Sequence, residues 1–334
     1  MSSQTLLEVE DLYIRFATEV GWVRAVNGVS FSLNTGETLG IVGESGSGKS
    51  VMARGIMNIL PRRGVVHSGR VNLDGRDMFA LSWRELRQVL GKDVALIPQH
   101  PMSAMNPVLT IGQQLVESLR LHLHLSVRAA RHEALELLAS VGIPEPRRRL
   151  DEYPHQLSGG MCQRVMIAMA LACQPRLLIA DEPTTALDVT IQVQILELLK
   201  DQQEQRQMAL ILITHDMDVA AICSDRIAVM YAGCILEHAT TRAIFRDFRS
   251  PYTQALLTSV PRLDGPMHQR LDTIPGQPPD PARLPGGCSF HPRCAFATPV
   301  CRSDAPVLQP IAGSSSHQYA CWNPVHVQDR VAAV

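Results

Sequence analysis

The sequence predicts an α/β fold, a mostly parallel sheet with crossover helices, and three observations point to it. Short apolar runs alternate with amphipathic stretches over the first 260 residues, the pattern of strands interleaved with helices. Several of those runs are apolar throughout, as strands covered on both faces require. A glycine-rich segment, Gly43 to Ser50, joins one such run to a helix.

The elements follow in order. Leu6 to Phe16 and Val23 to Leu33 alternate apolar and polar residues and read as strands with one covered face. Thr38 to Val42 is a short apolar strand running into the glycines, and Ser50 to Leu60 is the helix after them. Val94 to Ile97, Leu177 to Ala180, Leu210 to Ile213 and Ile227 to Tyr231 are further buried strands. Between Ile111 and Ala172 the periodicity is helical, which predicts a helical insertion between two strands of one sheet. Thr190 to Gln205 and Asp216 to Ile222 are crossover helices. From Pro261 to Pro310 the usage changes: half of the 22 prolines fall there. That places a boundary near residue 260, with a linker and a small extension over 261–334.

Composition bounds the rest. At about 150 residues per domain, 334 residues suggest roughly two domains. Apolar residues are 46% and charged residues 19%, enough for a sizeable core. A net charge of −1 argues against a protein that coats nucleic acid. The first residues carry Glu8, Glu10 and Asp11 and lack a secretory pattern. The longest apolar run, Val165 to Cys173, is too short to span a bilayer. These features predict a cytoplasmic chain whose eight cysteines are thiols or metal ligands rather than disulfides.

Three segments carry chemistry. Gly43-Glu44-Ser45-Gly46-Ser47-Gly48-Lys49-Ser50 fits G-x-x-x-x-G-K-[ST] after a strand and before a helix. Its glycines let backbone N–H groups turn toward a polyphosphate, and the helix N-terminus adds a favourable dipole. Lys49 is expected to reach the terminal phosphates and the Ser50 hydroxyl to hold Mg²⁺. The chain has 28 arginines and only three lysines, and one of those three stands where a compact ammonium is needed. Leu177-Leu178-Ile179-Ala180-Asp181-Glu182 is a buried strand ending in two carboxylates, Asp181 for the metal and Glu182 for the attacking water. Leu157-Ser158-Gly159-Gly160-Met161 opens a second helix with a hydroxyl and free N–H groups that suit an anion.

Together these motifs resemble the nucleotide-binding subunit of an ABC transporter, a P-loop NTPase with an antiparallel β subdomain and a helical subdomain (about 101–175). Gly43 to Ser50 matches Walker A, Gln99 the Q-loop, Leu157 to Met161 the signature, and Leu177 to Glu182 Walker B. Ala186-Leu187-Asp188 matches the D-loop and Thr214-His215-Asp216 the switch histidine. The resemblance covers residues 16 to about 260. It implies ATP and Mg²⁺ as ligands, with Gln99 near the metal, Glu182 as catalytic carboxylate and His215 bonded to the γ-phosphate. Asp188 and the signature residues Ser158, Gly159 and Gly160 belong to a site completed by a second subunit, since this chain has one copy of each motif. Phe16 is the residue placed on adenine, with Trp22 as the alternative.

Further stretches narrow the resemblance to the oligopeptide/dipeptide permease branch: His100 to Pro107, Asp181 to Thr190, Met230-Tyr231-Ala232-Gly233 and Ser250 to Leu257. Two departures stand out, Pro98 where Phe is usual and Cys162 where Arg is usual. The branch implies a second ATPase subunit (a heterodimer), two membrane permease subunits and an extracytoplasmic substrate-binding protein. It places the chain at the cytoplasmic face of the inner membrane. Import of glutathione or a nickel chelate by the same machinery, or a soluble ABC ATPase, are the alternatives.

The extension holds Cys288, Cys294, Cys301 and Cys321. Zinc ribbons favour C-x₂₋₄-C spacings, which these are not. Four widely spaced thiolates suit an iron–sulfur cluster as well or better. Tails of this kind in the branch resemble [4Fe-4S] carriers, so the resemblance favours that cluster, with Zn²⁺ second. A segment with so few apolar residues is expected to be pinned by the metal.

Overall fold

The computed structural model describes residues 4–19, 21–185, 187–259 and 273–325. The expected boundary at 260, most of the linker after it and Ala186 of the D-loop lie outside those residues.

The strands, in chain order, are β1 (Thr5–Thr18), β2 (Gly21–Asn34), β3 (Thr38–Val42), β4 (Val65–Leu73), β5 (Arg76–Asp77) and β6 (Val94–Ile97). They continue as β7 (Leu177–Asp181), β8 (Ala209–Thr214), β9 (Arg226–Tyr231), β10 (Cys234–Thr240), β11 (Gln309–Ile311) and β12 (Ser314–Tyr319). Every strand expected from an unbroken apolar run is present within a residue or two of its predicted ends. The helix after the glycines is shorter than expected, Lys49–Ile56, because the pattern beyond it breaks into turns.

The chain forms two compact units. One gathers 1–6, 33–37 and 77–213. There β6 pairs in parallel with β7, and β7 in parallel with β8. The two strands β6 and β7 are neighbours although some eighty residues separate them, and those residues include the helices Ile111–Leu123, Val127–Ser140 and Gly159–Leu171. The predicted helical insertion is therefore present. Its helices start on side-chain caps: Thr110 with Gln113 forms a reciprocal capping box, and Ser126 accepts from Ala129 N–H.

The other unit gathers 7–32, 38–76 and 214–334. Here β4 runs antiparallel to β1, from Leu7 opposite Leu73 to Phe16 opposite Val65, in a four-stranded sheet ordered β2-β1-β4-β5. In the same unit β3 pairs in parallel with β9, and β9, β10, β12 and β11 follow as antiparallel neighbours. The cysteine-bearing extension thus adds strands to a sheet edge. It also adds Phe290 and Ala320 to a core of Tyr231, Leu236, Ile244 and Tyr252. The extension thus has protein anchors of its own.

Candidate functional site

The phosphate loop begins where β3, buried along its whole length, ends. Gly43 has φ 157° and Gly48 φ 102°, a left-handed backbone that side chains resist. A Cβ at Gly43 would strike the Met230 carbonyl, and one at Gly48 the Ala25 carbonyl. Gly48 is the N-cap of the Lys49–Ile56 helix, so the N-terminal end of that helix opens onto the loop. Lys49 is buried, and its Nζ donates to Gly43 O (2.7 Å), Glu44 O (2.9 Å) and Ser47 Oγ (3.3 Å). The ammonium is thus held over the concave face of the loop. Gly233 N–H donates to Ser47 O (2.9 Å) and ties the loop to the turn after β9.

His215 follows β8 directly and is exposed; Asp216 caps the next helix, its Oδ1 accepting from Asp218 and Val219 N–H. Phe16 is half-buried on β1, and Trp22, at the start of β2, is 50% exposed.

The carboxylates lie in the other unit. Asp181 is the last residue of β7 and is 4% exposed. Glu182 has φ 48°, an uncommon left-handed backbone for a non-glycine residue, with its N–H donating to Ile213 O (2.9 Å). That turn aims its side chain at two partners. Gln99 Nε2 donates to Glu182 Oε2 (2.8 Å), and Thr185 Oγ1 donates to the same oxygen (2.9 Å). The structure so brings Gln99, Glu182 and Thr185 together; Thr185 was not among the residues singled out from sequence. Ser158 and Gly159 are exposed at the start of the Gly159–Leu171 helix, where Ser158 Oγ accepts from Met161 N–H (3.3 Å). Asp188 likewise caps Val189–Arg206 through Ile191 N–H (3.0 Å). Cys162 faces inward, its Sγ 3.4 Å from Pro154 O and 3.1 Å from Met102 Sδ, so this departure sits in the core rather than on the surface.

Three residues outside the sequence motif contact the loop or one another beside it: Tyr231, Tyr252 and Arg293. Glu44 N–H donates to Tyr252 Oη (3.0 Å), and the Glu44 carboxylate accepts two bonds from Arg293 (2.6 and 3.0 Å). Arg293 Nη1 also donates to Tyr231 Oη (3.3 Å). The Glu44 carboxylate raises the Arg293 pKa further, and burial pushes the Tyr231 and Tyr252 hydroxyls up.

The four tail cysteines line one cleft with Phe290 and Phe296, of about 360 Å³ with its open mouth included. None of the four is in a disulfide. Cys288 N–H donates to Cys301 O (2.9 Å), and Asn323 Nδ2 lies 3.4 Å from Cys301 Sγ. Burial pushes the Cys288 and Cys294 thiols up, and Cys321 up to about 12, with the other tail thiols adding to the shift. Among the described residues no group of three or more His, Cys, Asp or Glu converges on a single metal-ion position.

Comparison with known proteins agrees with this geometry. Residues 26–185 match the family described as ABC transporter, and residues 236–301 match "Oligopeptide/dipeptide transporter, C-terminal region". The dipeptide transport ATP-binding protein DppD of Bacillus subtilis (strain 168) is 51% identical over 96% of this chain and 95% of its own length. DppD of Escherichia coli (strain K12) is 47% identical over 96% and 97%, and the oligopeptide transport ATP-binding protein OppD of Bacillus subtilis 48% over 95% and 88%. Among solved structures, a dimeric ATP-binding cassette in a post-hydrolysis state with ADP and phosphate is 29% identical, with a TM-score of 0.64 over 71% of this chain and 99% of that one. A phosphate loop, a strand ending in two carboxylates and near-half identity along almost the whole chain lead to one conclusion: the protein belongs to the ABC transporter ATPases, in the group that carries the oligopeptide/dipeptide transporter C-terminal region.

Proposed function

We propose that this chain is one of two ATPase subunits that power a di- or oligopeptide importer. The observation that carries the reading is the end-to-end similarity to dipeptide and oligopeptide transport ATP-binding proteins, extension included. In this reading the chain works at the cytoplasmic face of the inner membrane with a different ATPase chain, two permease subunits and an extracytoplasmic peptide-binding protein. The helical segment 101–175 docks on the permease. The nucleotide-binding domain covers 1–260 and the linker and extension 261–334. Among the described residues no helix is long and apolar enough to cross a membrane, and the permease supplies the attachment.

The residue roles follow from chemistry. The 43–50 loop and Lys49 take the polyphosphate, with Gly43, Ser45, Gly46, Ser47 and Gly48 contributing through the main chain and Glu44 shaping the loop. Ser50, Asp181 and Gln99 would hold Mg²⁺, which neutralises phosphate charge when bound. Glu182 accepts the proton of the attacking water, and Gln99 and Thr185 keep that carboxylate in place. His215 donates to the γ-phosphate. The exposed Ser158 and Gly159, with Gly160 and Asp188, serve the partner's nucleotide. Phe16 stacks on adenine, with Trp22 as the alternative. Replacing Glu182 by Gln in the assembled importer is expected to leave ATP binding intact and to slow phosphate release by about 10²–10⁴-fold. Phosphate release at the wild-type rate would reject the assignment.

We assign Cys288, Cys294, Cys301 and Cys321 to an iron–sulfur centre, [4Fe-4S], in preference to Zn²⁺. The four thiols line one cleft, and their wide spacing in the chain suits a cluster as well as or better than one tetrahedral ion. Burial raises the Cys288, Cys294 and Cys321 thiols, and a bound cation would supply the charge that makes them thiolates. A cluster there would cross-link four points of the extension. Anaerobic purification should yield about four irons and four acid-labile sulfides per chain, lost in a Cys301→Ser variant; one zinc per chain would favour the alternative.

A further inference from the structure

Glu44 is bound through every polar group it has. Its N–H goes to Tyr252 Oη (3.0 Å), its carbonyl accepts from Lys49 Nζ (2.9 Å), and its carboxylate takes the two-pronged guanidinium of Arg293 (2.6 and 3.0 Å). That guanidinium comes from the extension, 249 residues along the chain, and only 5% of the Arg293 side chain is exposed. It is itself fixed: Nε donates to Pro275 O (2.8 Å) and Nη1 to Tyr231 Oη (3.3 Å). The same stretch of extension touches the loop a second time. Pro278, Pro279 and Pro281 wall a small cleft against Ser45 to Ser47, and Arg24 N–H donates to Pro281 O (3.1 Å).

A carboxylate is a costly neighbour for a polyphosphate. Coulomb repulsion between like charges is strong where water is thin. An arginine fork both neutralises a carboxylate and fixes its direction. We propose that Arg293 is a positioning residue of the ATP site, compensating the charge of the Glu44 carboxylate and holding it turned aside so that the phosphate loop accepts a nucleotide. The extension is then part of the support of the nucleotide site, whatever its cysteines bind.

The inference rests on reading 43–50 as the nucleotide loop, and the test separates the two. Binding of MgATP and MgADP to the full-length chain is measured by calorimetry, well below the melting temperature. Arg293→Ala should weaken MgATP about tenfold, or 1.4 kcal/mol, and MgADP less, because the bared carboxylate repels the more charged ligand more. Adding Glu44→Gln to Arg293→Ala should return MgATP to within about threefold of wild type, since the charge is gone. Arg293→Lys, which keeps the charge and loses the fork, should cost about threefold for MgATP and less for MgADP. If Arg293→Ala does not fold, the Arg293→Lys comparison decides. Affinities within twofold of wild type, or equal losses for both nucleotides without recovery in the double variant, would overturn the role of Arg293. A wild-type chain that binds neither nucleotide would overturn the loop reading instead.

Discussion

Gly48 shows how little latitude the nucleotide loop has. Its φ of 102° is open to glycine, and a methyl group there meets the Ala25 carbonyl. Gly48→Ala is therefore expected to abolish measurable MgATP binding, as calorimetry would show, with far-ultraviolet circular dichroism reporting whether the fold is kept. Such residues are legible in sequence because the chemistry imposes spacing: Gly43, Gly48, Lys49 and Ser50 act within one turn of chain. Thr185 was overlooked although it stands three residues from Glu182, because nothing marks a threonine as a partner until Glu182 turns its side chain. Arg293 has no local signal at all. One arginine among 28 in the chain becomes meaningful only when folding brings it to Glu44.

The same distinction holds for elements. Strands β3, β6, β7, β8 and β9 each contain an unbroken apolar run and stand out in the sequence. Strand β10 does not, because Glu237 and His238 interrupt it, yet both are buried. Glu237 is satisfied by Arg249 N–H (2.6 Å), Ser250 N–H (3.0 Å) and His317 Nε2 (2.8 Å), which also fastens β12 beside β10. Arg226 has only hydrogens to offer, so His238 Nε2 accepts its bond (2.7 Å) as a neutral imidazole. Burial first, then Arg226 and His317, depress His238 from 6.5 to about 3. Below pH 6.5 the unfolded chain takes up a proton that the folded one refuses, so stability is full above 6.5 and declines as pH falls toward 3. This group adds a slope of about 1.4 kcal/mol per pH unit in that window. Urea unfolding between pH 4 and 6 should show a slope shallower by about that amount in His238→Gln, which keeps an acceptor for Arg226 but cannot titrate.

For the molecule as a whole, the extension is the part the sequence explained least. Prolines and cysteines suggested a segment dependent on metal, whereas β11 and β12 add it to a sheet and Phe290 seats it on two tyrosines. The ring centroids of Tyr231 and Tyr252 stand 5.3 and 5.1 Å from that of Phe290, which is 4% exposed. Phe290→Ala should cost about 3–5 kcal/mol. At about 2–4 °C per kcal/mol this lowers the Tm by roughly 6–20 °C in a thermal scan. A shift below 2 °C would mean the aromatic contact contributes little to holding the extension.

Order of synthesis adds a consequence. Glu44 leaves the ribosome early and Arg293 is made 249 residues later. At about 5–20 residues per second, translation takes roughly 12–50 s to cover that interval. For that time the nascent polypeptide carries its nucleotide cradle without its brace, and the binding surface is finished only after Arg293 emerges.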